Sequence, residues 1–229
     1  MKRIILTVIL FAQFSVYGQD VKMNNDWANF KKYAADNERL KCNKTDETRV
    51  VFMGNSITEL WKMSDSSFFA GKSYIDRGIS GQTTPQMLLR FRKDVIDLKP
   101  KVVVILAGIN DIAENNGPIS LEDIFGNIVS MVEIAKASKI VVVLCSVLPA
   151  FDFSWHPDLE PAEKVAKLNS MLKSYAFKNK IIYVDYYSAM VDERKGLDKR
   201  YTYDGVHPTL AGYKVMAPLV ENAIKKALQ

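Results

Sequence analysis

The sequence predicts an α/β domain, with helices on both faces of a five-stranded parallel sheet. Three observations carry that prediction. Four short runs, "RVVFMG" (49–54), "KVVVILAG" (101–108), "KIVVVLCSV" (139–147) and "KIIYVD" (180–185), are rich in Val and Ile and do not alternate with polar residues. Such runs mark strands buried on both faces, as in parallel sheets. Amphipathic segments of helical period lie between them. Strict alternation of strand and helix then implies a three-layer, doubly wound sandwich. The expected strand order is 2-1-3-4-5, with ligands bound at the C-terminal strand ends.

Taken in order, the chain opens on "MKRIILTVILFAQFSVYGQD". Lys2 and Arg3 form a positive start, Ile4 to Val16 an apolar core, and Ser15 and Gly18 supply small residues near a cut before Gln19 or Asp20. This is the pattern of a signal peptide over 1–19, too short to span a membrane, with an uncleaved anchor as the other reading. Residues 20–229 then form one domain. After the first strand, "KSYIDRG" (72–78) reads as a weaker second strand. Thr84 and Pro85 resemble a cap and first turn, with Leu88, Phe91, Val95 and Leu98 on one face. Ser120 and Asp123 resemble a capping box ahead of Ile124, Ile128, Met131 and Ala135. Helices are expected over 161–178 and 209–228, and Pro218 should kink or split the last.

Composition excludes several classes of function. The chain has 229 residues, 48% of them hydrophobic and 25% charged, which suits one globular domain. The net charge of +5 falls to +3 without Lys2 and Arg3, and no basic block stands out, so nucleic acid is not an expected partner. There is no second run of transmembrane length, so no stable membrane insertion is expected after loss of the leader. Cys42 and Cys145 have no metal-ligand spacing, and Cys145 lies inside a strand run, so neither a metal nor a disulfide is expected.

Four polar stretches fall just beyond apolar elements on one sheet edge. "GNSIT" follows the first strand, "RGISGQTT" the second and "AGIND" the third, while "YDGVHPT" lies between the fifth strand and the last helix. Ser56 alone reads better as a helix cap than as a nucleophile. As a nucleophile it needs a base. The chain has two histidines. His207 follows Asp204 by three residues, close enough for the carboxylate to hold the ring nitrogen that faces away from a serine. His156 has Asp158 nearby but sits in a long aromatic loop. The Ser56 N–H, the Gly81 N–H and the Asn110 amide could hold a developing oxyanion. Taken singly, His207, Gly81 and Asn110 each also have a plain turn or capping role; their conjunction on one edge is what points to acyl transfer.

With these residues the chain resembles the SGNH hydrolases, the GDSL-type esterases and lipases. The matching positions are Ser56, Gly81, Asn110 and His207, with Asp204 completing a Ser-His-Asp set. The resemblance runs from about Val50 to Gly212 and implies a flavodoxin-like sandwich, an acyl-enzyme mechanism and no cofactor. It departs at Asn55, where the family usually has Asp, and at Ile57 and Thr58. Resemblance and export together suggest an exported, periplasmic or secreted esterase that removes short acyl groups, often acetyl, from carbohydrates or similar small molecules. Asn55, Phe153, Trp155 and His156 are candidate substrate contacts, since aromatic faces pack on sugar rings or acyl chains. Lysophospholipase or thioesterase activity is the alternative within the class. A non-catalytic sugar-binding or flavin-binding module is the alternative outside it. A flavin module leaves "GIND" and "DGVHP" unexplained.

Overall fold

The computed structural model describes residues 26–42 and 48–229. The leader expected over 1–19 lies outside them. Five strands form one sheet: β1 (Val50–Gly54), β2 (Tyr74–Gly78), β3 (Val102–Ile105), β4 (Val141–Cys145) and β5 (Ile182–Val184). All neighbours run parallel and the order is β2-β1-β3-β4-β5, as the sequence predicts. The three central strands are almost wholly buried, which is why their sequences do not alternate. Cys145 is a buried free thiol at the end of β4.

Nine α-helices surround this sheet among the described residues: α1 (Ala34–Cys42), α2 (Ser56–Ser64), α3 (Ser66–Phe69), α4 (Thr84–Asp94), α5 (Ile109–Ile112), α6 (Leu121–Ala137), α7 (Pro161–Lys178), α8 (Tyr186–Met190) and α9 (Leu210–Ala227). Helices α2 and α9 pack together at one face, against β1–β2 and β4–β5 respectively. Helices α4, α6 and α7 form a contiguous layer on β1, β4 and β5 at the other. The expected buried stripe of α6, Ile124, Ile128, Met131 and Ala135, is buried, and Ser120 caps the helix by accepting the Asp123 N–H at 3.0 Å.

Two local expectations need correction. The cap of α4 is Thr83, one residue earlier than expected, because Gln86 reaches back to accept the Thr83 N–H at 3.1 Å. Pro218 does not split the last helix, which runs unbroken from Leu210 to Ala227. Pro218 lies on the exposed side, where water can take over the Lys214 carbonyl, while Tyr213, Met216, Val220 and Ile224 hold both halves to the core.

An aromatic cluster joins α9 to α2. Trp61 stacks on Phe68 (centroids 4.4 Å apart) and on Tyr213 (5.2 Å), and the Tyr213 hydroxyl donates to the Ile57 carbonyl at 2.8 Å. Ser56 opens α2, and His207 lies three residues before α9 begins. The cluster therefore fixes two distant segments relative to each other.

Candidate active site

Strand β1 ends at Gly54, and the chain turns at once into α2 with Asn55 as its cap. The Asn55 side chain accepts the Ile57 N–H at 3.0 Å. Ser56 is the first helical residue, so its own N–H has no acceptor within the helix. The turn is tight: a Cβ on Gly78, at the end of β2, would stand 2.2 Å from the Glu59 nitrogen and 2.7 Å from the Asn55 oxygen. Only glycine there lets α2 settle against the strand ends.

The segment before α9 folds back on itself. Thr202 bridges Pro208, and the Thr209 N–H donates to the Tyr201 carbonyl at 2.7 Å. Inside this loop the Asp204 carboxylate accepts the N–H groups of Val206 (2.9 Å) and His207 (2.8 Å) through Oδ1. Its Oδ2 lies 2.6 Å from His207 Nδ1, and His207 Nε2 lies 2.9 Å from Ser56 Oγ. Partial burial pushes the Asp204 carboxyl up, but the backbone and ring N–H groups of His207 outweigh it and hold it at about 2. The carboxylate is therefore ionised throughout the neutral range. The arrangement can draw a proton from a serine hydroxyl and stabilise the imidazolium that results.

Gly81 lies in the loop between β2 and α4 with φ of +76°, a left-handed conformation that suits glycine. Its N–H meets no acceptor among the described residues. Two neighbouring residues of α5 hold this loop. Asn110 Nδ2 donates to the Gln82 carbonyl at 3.0 Å, which leaves its second N–H for a ligand. Asp111 accepts the Thr84 N–H through both oxygens, at 2.9 and 3.0 Å, and the Thr84 hydroxyl at 2.6 Å. At the far side of the loop, Glu59 accepts the Ser80 N–H and hydroxyl, each at 2.7 Å, and pairs with Lys32.

Burial raises the Asp111 carboxyl to about 6, and the Thr84 donors only partly oppose it. Its folded value lies above its unfolded one, so the folded state binds the extra proton between about pH 4 and 6. Stability from this group is thus greatest below pH 4 and falls as pH rises to 6, by on the order of 2 to 3 kcal/mol. Asp111→Asn should flatten that slope, so that the variant gains on the wild type between pH 4 and 7. Urea denaturation at both pH values checks this, and an unchanged difference would refute it.

Two of the candidate substrate contacts are corrected. Asn55 is buried and its oxygen is committed to the helix cap, so that oxygen serves the helix rather than a substrate. Its Nδ2 is buried without a partner. Phe153 is fully buried, because the loop after β4 turns it into the core. It supports Trp155 from beneath at 5.2 Å, and Trp155 remains 46% exposed. His156 is exposed, with Nδ1 2.9 Å from the Ala113 carbonyl, and shows no hydrogen bond to Ser56, Asp204 or His207 among the described residues. Sequence reading missed the holding roles of Asp111, Glu59 and Arg90. For Asp111 the signal was present, since it is the residue after Asn110 in "GIND".

Residues 52–215 match the GDSL-like lipase/acylhydrolase family. The chain belongs to that family. A GDSL-like lipase of Bacteroides thetaiotaomicron is 52% identical, with 87% of this chain and 98% of that one covered and a TM-score of 0.85. A Bacteroides fragilis protein provisionally named an acylhydrolase is 54% identical over 89% of this chain and 99% of that one, with a TM-score of 0.86. An acetylxylan esterase of Geobacillus stearothermophilus, solved as a catalytic mutant, shares the fold at 20% identity and a TM-score of 0.64, over 77% of this chain and 93% of that one. The uncharacterized lipoprotein YqeF of Bacillus subtilis is 35% identical over 81 residues. Those residues are 34% of this chain, which spans about a third of that relative's length. Every member of the Ser56, Gly81, Asn110, Asp204 and His207 set lies inside the family match.

Proposed function

We propose that the chain is a serine esterase that works through an acyl-enzyme. Ser56 Oγ attacks the ester carbonyl while His207 Nε2 takes its proton, and Asp204 holds the ring in the required tautomer. The N–H groups of Ser56 and Gly81 and the Asn110 amide receive the negative oxygen. The alcohol leaves with the proton from His207, and water then releases the acid by the same steps in reverse. The observation that carries this reading is the unbroken chain from Ser56 Oγ to His207 Nε2 (2.9 Å) and from His207 Nδ1 to Asp204 (2.6 Å).

The proposed substrates are short acyl esters, acetyl above all, on carbohydrates or similar small molecules. The exposed indole of Trp155 at the strand-end loops supports a sugar. The proposed location is outside the cytoplasm, periplasmic or secreted. Its support is the pattern of residues 1–19 and the lipoprotein relative.

A serine-directed fluorophosphonate tests the nucleophile, and acetate release from acetylated xylan, pectin fragments and sialic acids tests the substrate. Labelling at Ser56 and acetate release are expected. Failure to label folded protein would favour a binding module, and release confined to long acyl lipids or thioesters would favour the lysophospholipase or thioesterase reading.

A further inference from the structure

We infer that the N-terminal segment, residues 26–37, braces the active site, and that Gln82 is the positioning residue through which it acts on Gly81. The inference rests on the esterase reading above, in which the Gly81 N–H receives the oxyanion. A donor of that kind works only if it is held in place, since a drift of about 1 Å can cost about 10²-fold in rate. Yet nothing packs on Gly81 itself. A Cβ built there would meet no heavy atom within 4 Å beyond its chain neighbours. The loop therefore takes its shape from the residues on either side.

Both neighbours of Gly81 are tied to the N-terminal segment. On one side Glu59 Oε2 accepts the Ser80 N–H and hydroxyl, while its Oε1 pairs with Lys32. On the other, every polar group of the buried Gln82 is engaged. Its Nε2 donates to the Ala28 carbonyl at 2.7 Å, and its Oε1 accepts from Arg90. Its N–H donates to the Ile79 carbonyl at 3.3 Å, and its own carbonyl accepts from Asn110 at 3.0 Å. A buried amide satisfied on all sides has one orientation to occupy. Two further bonds lie alongside. The Tyr33 hydroxyl donates to the Gly78 carbonyl, and Gln86 Nε2 donates to the Trp27 carbonyl at 2.8 Å.

The segment can act as a brace because it is itself fixed. Asp26 turns it by accepting the N–H groups of Phe30 (2.6 Å) and Lys31 (3.1 Å), and Ala28 is buried. At the far end the buried Asn37 bonds to Asp94 and Arg77, and Asp36 pairs with Arg77 at 2.7 Å. The Arg77 guanidinium also lies over the Tyr33 ring, 4.5 Å from its centroid. The family match begins at residue 52, so family membership assigns this segment no role. Its contacts do, because they converge on the residues just before and just after the proposed donor.

The test cuts the brace from each side in the full chain. Gln82→Glu keeps the acceptor for Arg90 but sets a second oxygen against the Ala28 carbonyl. Lys32→Met combined with Tyr33→Phe cuts the brace without touching the loop, and decides the matter if Gln82→Glu does not fold. Each should lower kcat about tenfold and leave KM within twofold, short of the 10²- to 10³-fold that loss of a whole donor costs. Lys32→Arg in place of Lys32→Met should recover most of the rate. Amide hydrogen exchange at Ser80 and Gln82, whose N–H groups are bonded in the loop, should quicken severalfold in the cut variants. A kcat within twofold of wild type in either folded variant, or a fall in kcat with no change in exchange, overturns the brace. So does a rise in KM alone, which would make the segment a substrate contact. Fluorophosphonate labelling of the wild type at Ser56 separates the two readings. Without labelling or turnover the esterase reading fails, and exchange alone then decides the brace: faster exchange in the cut variants supports it, and unchanged exchange overturns it.

Discussion

Ser56→Ala should lower kcat/KM for the preferred ester by about 10⁵- to 10⁶-fold, the scale on which loss of a serine nucleophile acts. The fold should not notice. The Ser56 hydroxyl bonds to His207, and alanine is at home in a first helical turn, so stability should change by about 0.5 kcal/mol or less. The other members should rank in an order set by their jobs. Asp204→Asn leaves the ring in the wrong tautomer and should cost about 10⁴-fold. Asn110→Ala removes one oxyanion donor and should cost about 10²- to 10³-fold in kcat. It also frees the Gln82 carbonyl, so part of that loss will reflect a looser Gly81 loop. The losses should not add if Ser56, His207 and Asp204 act as the one unit proposed above. Steady-state kinetics with thermal denaturation of each variant checks the ranking. Activity within a hundredfold of wild type in folded Ser56→Ala protein would refute the assignment.

How much of this was legible in the residues depends on where the deciding force lies. The strands were legible because burial on both faces writes itself as unbroken Val and Ile runs. The four site loops were legible because each is short and follows directly on such a run. Helix α1, "AADNERLKC", was not, since it has no apolar stripe. Its place is set by polar bonds across the fold: Asn37 Nδ2 donates to Asp94 at 2.6 Å, and Asn37 Oδ1 accepts from Arg77 at 2.9 and 3.0 Å. Phe153 and Trp155 looked alike in sequence, two residues apart in one loop. Only the path of that loop decides which ring enters the core. The Asn55 cap shows the same limit, because a residue beside a nucleophile can serve the helix rather than the ligand.

Arg90 and Asp94 illustrate the limit most sharply, and they carry the largest expected effect on stability. In sequence they are a pair four apart on a helix, the spacing of an ordinary surface ion pair. In the fold Arg90 is 0% exposed, and its guanidinium reaches four partners. Nε donates to Gln82 Oε1 at 2.5 Å, Nη1 to Asp94 at 2.9 Å, and Nη2 to the carbonyls of Gly54 (3.0 Å) and Arg77 (2.9 Å). Burial lowers its pKa, against the Asp94 charge. Gly54 is two residues before Ser56 and Gln82 one after Gly81, so Arg90 ties together the two loops that carry the proposed nucleophile and the proposed oxyanion donor. Arg90→Met should therefore destabilise the protein by about 3 to 5 kcal/mol, because it strands a buried carboxylate and two buried carbonyls. Arg90→Lys keeps the charge but not the planar fork, and should recover only part of the loss. Adding Asp94→Asn to Arg90→Met removes the stranded charge and keeps an acceptor for Asn37, so the double variant should be more stable than the single one. Urea denaturation reads all three. If Arg90→Met unfolds within about 1 kcal/mol of wild type, the guanidinium is not what holds the strand ends together, and the geometry of Ser56 and Gly81 must have another source.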